Sequence, residues 1–151
     1  MERGNRRNAL WLKQVIVLDS SLLIAFKIKN DSHHERANAL MKQVVSERFG
    51  KPSITSYIFD ETVTGIFVRS KSLRLAVEYG NELLASLETL EVNEEAFREA
   101  WRIFSEQRNR RLSFTDSSTL AVMNIQDIGR IATFDEDFGN IEGINAIGLV
   151  Q

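Results

Sequence analysis

The chain contains no cysteine among its 151 residues. A disulfide framework and thiolate metal sites are therefore excluded, and the composition suits a reducing compartment such as the cytoplasm. Long hydrophobic runs are also absent, because charged or amide side chains interrupt the apolar segments well before the ~20 residues that a membrane helix needs. Only two histidines occur, His33 and His34. Adjacent helical residues face different directions, so the sequence predicts no histidine metal site.

The remaining composition is that of a soluble globular protein, with a hydrophobic fraction of 43% and a charged fraction of 26%. This length suits one domain with a substantial core. The net charge of −2 gives no overall electrostatic argument for nucleic-acid binding. Residues 1–14 carry basic side chains but lack the hydrophobic stretch and cleavage site of a signal peptide. We therefore interpret residues 1–14 as a basic arm and residues 15–151 as a single domain.

Short apolar strands alternate with helices along the chain. The strands are predicted at 15–18, 52–54, 87–92, 131–135 and 146–150. The helices between them include one capped by Asp31 or Ser32 and stopped by Gly50, and one capped by Asn93 with arginines in its last turn. This alternation predicts parallel strands joined by right-handed crossovers. The expected fold is a three-layer α/β/α sandwich around a mainly parallel sheet of about five short strands.

Acidic residues are expected to converge at the carboxyl edge of this sheet. Asp19 ends the first strand, Asp116 opens a helix, and Asp135 ends "RIATFD". Ligand sites of open parallel sheets form at this edge, where the strand order reverses. Glu61, one and a half turns into the helix after the second strand, would overhang the same edge, with Asp60 as the alternative. Clustered carboxylates repel unless a cation neutralises them, and oxygen-only ligands favour Mg²⁺ or Mn²⁺, which can activate a water against a phosphodiester.

Four segments resemble, in order and spacing, the acidic motifs of PIN-domain ribonucleases, especially the VapC toxins of prokaryotic toxin–antitoxin pairs. These segments are "VIVLDSSLLIAF", "ITSYIFDETVTGI", "RLSFTDSSTLAVM" and "IATFDEDF". The resemblance covers roughly residues 15–150. It implies the PIN fold and an Mg²⁺- or Mn²⁺-dependent endoribonuclease that hydrolyses RNA in the cytoplasm.

The resemblance also implies roles for individual residues. The metal ligands of the family carry over to Asp19, Glu61, Asp116 and Asp135. Ser21 and Thr115 match hydroxyl positions that orient ligands or waters. Asp137 could replace Asp135 or support it, although a loop or capping acid is the simpler interpretation. Considered one at a time, Asp19 and Asp116 could each be a helix N-cap.

Partners and competing functions follow from the same comparison. VapC-like proteins commonly form homodimers and are inhibited by a small antitoxin, so both partners are expected beside the RNA substrate, and no membrane is. A PIN module that binds RNA or a protein without cutting is the alternative, and the four filled acidic positions argue against it. A haloacid-dehalogenase-like phosphatase would need a second aspartate where Ser21 stands. A response-regulator receiver would need paired acids and a late lysine, which are missing.

Two further groups have simple structural interpretations. Phe97, Trp101 and Phe104 recur at helical spacing, which predicts a core stripe rather than a base-stacking platform. The run "QRNRR", residues 107–111, predicts a solvated helix end, with phosphate contact as the alternative.

Overall fold

The structure is a computed structural model that describes residues 14–149. Its strands are β1 Val15–Leu18, β2 Lys51–Thr55, β3 Glu88–Leu90, β4 Arg130–Ala132 and β5 Asn145–Ile147. They form one parallel sheet in the order β3-β2-β1-β4-β5. The predicted α/β fold around a five-stranded parallel sheet is therefore confirmed. Of the predicted basic arm, only Gln14 lies within the described residues.

Six helices and one short 3₁₀ turn connect the described strands. They are α1 Ser20–Lys27, α2 His34–Val45, α3 Ser56–Ser70, α4 Leu73–Ser86, α5 Glu94–Glu106, α6 Phe114–Ile125 and the 3₁₀ turn Glu136–Phe138. Right-handed crossovers place α1–α4 on one face of the sheet and α5–α6 on the other. Helix α3 contacts both α1 and α6, so it joins the two groups of helices. No helix in the described part of the chain is long and apolar enough to cross a membrane.

The central strand β1 is buried on both faces. Ile16, Val17 and Leu18 are fully buried, and Leu22 and Leu23 of α1 continue the core beyond the strand. A parallel strand covered on both sides needs a continuous apolar run, which explains "VIVL". The chain leaves β1 for β2 on one side and later returns to β4 on the other, so the strand order reverses next to β1. This reversal makes the carboxyl end of β1 the expected location of a ligand site.

The start of α2 differs from the prediction. Its N-cap is His33, and neither Asp31 nor Ser32 occupies that position. Instead, the Asp31 carboxylate accepts the His33 backbone N–H at 2.8 Å. Asp31 therefore stabilises a turn that precedes the helix by accepting a backbone N–H two residues ahead, as aspartate commonly does.

The end of α2 also differs. The helix stops at Val45, and Glu47 adopts the left-handed conformation with φ of 60°. Gly50, which was expected to stop the helix, precedes β2 with φ of 108°. A Cβ atom there would lie 2.8 Å from the Gln14 carbonyl carbon. Glycine is needed at position 50 because the backbone has a positive φ and because another chain segment lies too close for a side chain. The end of α2 does not need it.

Helix α5 begins as predicted but ends earlier. Asn93 caps it by accepting the Ala96 N–H at 2.9 Å. The Gln107 side chain then bonds both backbone groups of Leu112 and the Phe104 carbonyl, which closes a loop over residues 107–112. The prediction of arginines in the last helical turn is wrong. They lie in this loop, at Arg108, Arg110 and Arg111.

The predicted aromatic core stripe on α5 is also wrong. Phe97 is 48% exposed and Trp101 is 58% exposed, while Phe104 is half-buried. The buried positions of α5 are Ala96 and Ala100. Small side chains at the buried positions let α5 pack closely on α6. The larger rings of Phe97, Trp101 and Phe104 lie at one end of this contact, around Phe114 of α6.

Candidate active site

Asp19 lies where β1 ends and is only 3% exposed. Its backbone N–H donates to the Ala132 carbonyl at 2.9 Å, which extends the pairing of β1 with β4. Its Oδ2 accepts hydrogen bonds from the hydroxyls of Ser21 and Thr133, both at 2.7 Å. Although Asp19 stands at the N-cap position of α1, its side chain makes no capping hydrogen bond. The carboxylate is therefore held by two hydroxyls across the reversal point of the sheet.

The two hydroxyls are themselves fixed by the backbone. Ser21 Oγ accepts the Phe134 N–H at 3.0 Å, and Thr133 Oγ1 accepts the Asp135 N–H at 2.9 Å. Each hydroxyl thus accepts one hydrogen bond from a backbone N–H and donates its own hydrogen bond to Asp19. The sequence reasoning anticipated Ser21 but missed Thr133. The available signal was a threonine two residues before the acid in "TFD", at the end of a strand that pairs with β1.

Asp135 follows β4 by three residues and caps the short 3₁₀ turn. Its Oδ1 accepts the Asp137 N–H at 2.9 Å. The charge of Asp135 raises the pKa of Asp19, of Glu61 and of Asp116. Of the two neighbouring acids, Asp135 is therefore the one whose charge is a leading cause of these shifts.

Asp116 is 8% exposed and occupies the third position of α6, so it is not the N-cap. The N-cap is Ser113, whose Oγ accepts the Asp116 N–H at 3.0 Å, while Asp116 Oδ2 accepts the Ser113 N–H at 2.9 Å. Burial raises the pKa of Asp116 to about 7, with further contributions from the charges of Asp19 and Asp135 and an opposing contribution from the Ser113 N–H. This reciprocal box fixes one carboxylate oxygen by the backbone.

Glu61 is an exposed residue of α3, although its carboxyl group is partly shielded from water. Withdrawal of its carboxyl from water raises its pKa, and the charge of Asp19 is the next cause, while the Ser20 hydroxyl opposes the shift by hydrogen bonding. The alternative acid, Asp60, is exposed and accepts a long hydrogen bond of 3.4 Å from Thr64. The charge of Asp60 is a smaller cause of the raised pKa of Glu61 than the charge of Asp19. The closeness of Glu61 to Asp19 therefore favours Glu61 over Asp60.

Thr115 is the predicted supporting residue that the structure does not bring to Asp19. It is half-buried, and its carbonyl accepts the hydroxyls of Ser118 and Thr119. Its own hydroxyl makes no hydrogen bond with any described residue. The hydroxyl that contacts Asp19 from a distant part of the chain is that of Thr133.

Burial raises the pKa of Asp19 itself, against the lowering effect of its two hydroxyl donors. The charge of Asp135 thus acts on Asp19, Glu61 and Asp116, and the charge of Asp19 acts on Glu61 and Asp116, at a single edge of the sheet. In the absence of a counter-charge, this arrangement costs free energy, because like charges that share a site cannot all ionise at their ordinary pKa.

The donor chemistry of this edge fits a hard divalent cation. Within residues 14–149, no three His, Asp or Glu side chains already lie together as a direct ligand group. Mg²⁺ does not require such a group, since it keeps several waters and binds through one or two carboxylates. The raised pKa values, together with an all-oxygen donor set, are what a site for a hydrated cation would have before the cation neutralises it.

Comparison with known proteins gives a family and a fold. The family model described as PIN domain matches residues 16–144. No curated protein matches the chain in sequence.

Three solved structures illustrate the likeness in fold. VapC20 of Mycobacterium tuberculosis, described as a sarcin-ricin loop cleaving toxin, is 24% identical with a TM-score of 0.71 over 84% of this chain and 97% of that chain. VapBC2 of Rickettsia felis, bound to a DNA fragment from its promoter, is 14% identical with a TM-score of 0.65, covering 88% and 97%. DNA-bound VapBC of Salmonella typhimurium is 17% identical with a TM-score of 0.64, covering 89% and 97%. At these identities the likeness concerns the fold.

Proposed function

This chain belongs to the PIN domain family, and from that premise we propose that it is a metal-dependent endoribonuclease that hydrolyses RNA phosphodiester bonds. The observation that carries the proposal is that Asp19 and Asp135 lie close enough to raise, by their charge, the pKa of Glu61 on α3 and of Asp116 on α6, so that acids from four distant segments meet at the strand-order reversal. Four separate caps or surface acids would have no reason to gather at one edge. Perturbed carboxyls in such a position are typical of catalytic sites.

We propose that Mg²⁺ or Mn²⁺ is held by Asp19, Glu61, Asp116 and Asp135, directly or through ordered waters. A bound cation would supply Lewis-acid polarisation and a more acidic water. The protein's own contribution is orientation. Ser21 and Thr133 fix the Asp19 carboxylate, and Ser113 fixes Asp116. No described residue in this cluster is arranged as a covalent nucleophile, so the attacking group is a water.

We further propose that the chain is the toxin of a toxin–antitoxin pair. The support is its likeness in fold to VapC20 and to the VapBC complexes. A small antitoxin would then be its inhibitor, a homodimer its working form, and cytoplasmic RNA its substrate. The sarcin-ricin loop is the target named for VapC20 alone, and the RNA cut by this chain is a separate question.

Two neighbouring acids provide a matched test of the chemistry. Parent protein, Glu61→Gln and Asp60→Asn are incubated with single-stranded RNA in Mg²⁺ or Mn²⁺. We expect Glu61→Gln to reduce cleavage at least 100-fold, because the charge of Asp19 acts on Glu61 at the acidic edge. Asp60→Asn should retain cleavage, because Asp60 is exposed and its carboxylate faces Thr64. Asp19→Asn should be inactive. Equal cleavage by all four proteins would remove the proposed chemistry.

A second measurement separates cutting from binding. If none of the proteins cleaves RNA, yet the parent binds it tightly, the chain is a PIN module without catalytic activity and the nuclease proposal is wrong. Cleavage that chelator abolishes and Mn²⁺ restores supports the metal-dependent reaction.

A further inference from the structure

An exposed group of aromatic rings lies where α5, α6 and α3 meet. We call it the aromatic patch and define it as Tyr57, Phe97, Trp101, Phe104 and Phe114. Phe114 is at its centre, with ring centroids 5.3 Å from Phe97, 6.1 Å from Phe104, 6.3 Å from Tyr57 and 6.4 Å from Trp101. The rings therefore form one connected surface, of which the Phe97 and Trp101 side chains are the most exposed parts.

The aromatic patch is linked to the acidic edge along α3. Tyr57 precedes Glu61 by four residues, and residues at this spacing lie on the same face of a helix. A strand that lies across the rings can therefore follow this face of α3 from Tyr57 to Glu61.

Unpaired positive charge lies in the loop that joins α5 to α6, the two helices that carry most of the aromatic patch. In the loop of residues 107–112, Arg108 and Arg111 are exposed and make no ion pair or hydrogen bond with the described residues. Arg110 anchors the loop by donating to the carbonyls of Asp137, Gly139 and Asn140. The two remaining arginines are thus presented on a fixed loop between α5 and α6.

Ion pairs offset half of the acidic charge on α5. Arg98 pairs with Glu94, and Arg102 pairs with Glu99 and Glu106. The helix that carries Phe97 and Trp101 therefore has two of its four glutamate charges offset by arginines of the same helix. The bases of a nucleic-acid strand stack on aromatic rings, and its phosphates bind to arginine side chains. This part of the protein presents both kinds of group.

We propose that the aromatic patch is a stacking platform for the bases of single-stranded RNA, and that Arg108 and Arg111 contact its phosphates, so that the strand is led to the acidic edge. This inference rests on the proposed ribonuclease function and adds a substrate-positioning surface to it. Stacking on exposed rings tolerates any base, so the platform favours unpaired RNA over duplex RNA, whose bases are already stacked.

The test compares RNA binding by ring variants in one background. Phe97→Ala and Trp101→Ala are each made with Asp19→Asn, which keeps the RNA intact, and Mg²⁺ is present throughout. Fluorescence anisotropy measures the affinity for a labelled, unstructured RNA and for the same strand with abasic residues. The control is Phe67→Ala, an aromatic residue on α3 with a similar exposure of 46% and no place in the patch.

We expect each patch variant to bind the unstructured RNA about tenfold more weakly, the factor a lost base–ring stack represents. Phe67→Ala should bind as the background protein does. Abasic RNA should bind weakly to all of them, with little difference between variants. Arg108→Ala and Arg111→Ala should each lower the slope of log affinity against log salt by about 1.

Other outcomes overturn the platform. Patch variants that bind RNA normally but change from dimer to monomer by light scattering would make the rings a contact between copies. Variants that bind normally and keep their oligomeric state would leave the rings without a role in RNA binding. Failure of the ribonuclease proposal is distinguishable, because RNA cleavage by the protein with native Asp19 is measured separately. An intact platform on a protein that never cuts RNA would keep this inference and remove that proposal.

Discussion

Thr133 and Ser21 partly offset the cost of ionising Asp19, which is almost fully buried and has a raised pKa. A buried carboxylate is costly, and two hydroxyl donors at 2.7 Å offset part of that cost. The same hydroxyls accept hydrogen bonds from the backbone N–H groups of Phe134 and Asp135. The orientation of the Asp19 side chain is therefore fixed by the chain segment that follows β4.

Thr133→Val tests this role at constant side-chain shape. Val removes one donor to Asp19 and leaves the Asp135 N–H without its acceptor, so we expect a loss of roughly 1–3 kcal/mol in stability. We also expect RNA cleavage to fall at least tenfold. Thermal melts and initial cleavage rates measure the two effects. Thr133→Ser keeps the hydroxyl and should retain most activity; equal activity of the Ser and Val variants would mean that the hydroxyl is dispensable.

Thr62 gives the opposite case of a hydroxyl without a partner. It is fully buried on α3, and its Oγ1 has no hydrogen-bond partner. Thr62→Val replaces that hydroxyl by a methyl group of nearly the same size, and we expect stability to rise by about 1 kcal/mol. Denaturant titration measures the change. A destabilised variant would indicate that water reaches the hydroxyl in solution.

At the scale of the element, the start of α6 combines a helix cap with a site residue. Ser113 and Asp116 satisfy each other's backbone N–H groups. The hydrogen bonds that begin the helix therefore also hold the Asp116 carboxylate in position. The sequence indicated an N-cap and a metal ligand as alternatives for Asp116. The N-cap is Ser113, and Asp116 takes part in the cap from the third helical position, which leaves its role as a metal ligand a proposal.

Ser113→Ala and Ser72→Ala form a matched pair. Ser72 caps α4 by accepting the Leu75 N–H at 3.1 Å, much as Ser113 accepts the Asp116 N–H at 3.0 Å. Each substitution should cost about 1 kcal/mol by loss of an N-cap. Only Ser113→Ala should also slow RNA cleavage, because only this cap holds a site residue. A similar rate for both variants would contradict a positioning role for the Ser113 cap.

At the scale of the whole molecule, the fold gathers negative charge from segments almost 120 residues apart. The metal-free protein should therefore lose stability as pH rises. Asp116 has an ordinary pKa of 3.8, and its pKa in the fold is about 7. Between these values the folded state keeps a proton that the unfolded chain releases, so unfolding becomes easier with increasing pH. Asp19 and Glu61 shift in the same direction.

Thermal melts in chelator at pH 5–8 test this coupling. We expect the parent to melt several degrees lower at pH 8 than at pH 5. Asp116→Asn should flatten this dependence, because an amide does not titrate. The variant should remain folded, because its amide oxygen can still accept the Ser113 N–H. Mg²⁺ or Mn²⁺ should restore the melting temperature of the parent at pH 8 by mass action. A large loss of stability in Asp116→Asn at every pH would mean that capping outweighs repulsion.

The metal effect has its own control. Glu82→Gln removes an exposed acid on α4 that acts on none of the site carboxyls. Its melting temperature should rise with Mn²⁺ as much as that of the parent, while that of Asp19→Asn should not. If Mn²⁺ stabilised all three proteins equally, the ion would bind somewhere other than the acidic edge.

The sequence by itself determined the alternation of strands and helices and the position of Asp19 after a buried strand. Both follow from local chemistry, since a strand buried on two faces must be continuously apolar and a carboxylate can stand only where that run ends. The parallel fold then required acids that follow different strands to meet at one edge. These properties depend on neighbouring residues and on the handedness of connections.

Only the tertiary structure decided which side chains touch. The Thr133 hydroxyl reaches Asp19 across 114 residues of sequence because β4 pairs with β1, and no local pattern encodes that register. Phe97 and Trp101 have the spacing of a core stripe, yet Ala96 and Ala100 are the buried positions of α5 and the two rings stay exposed. Helical periodicity gives a face, but the partner helix selects which face is buried.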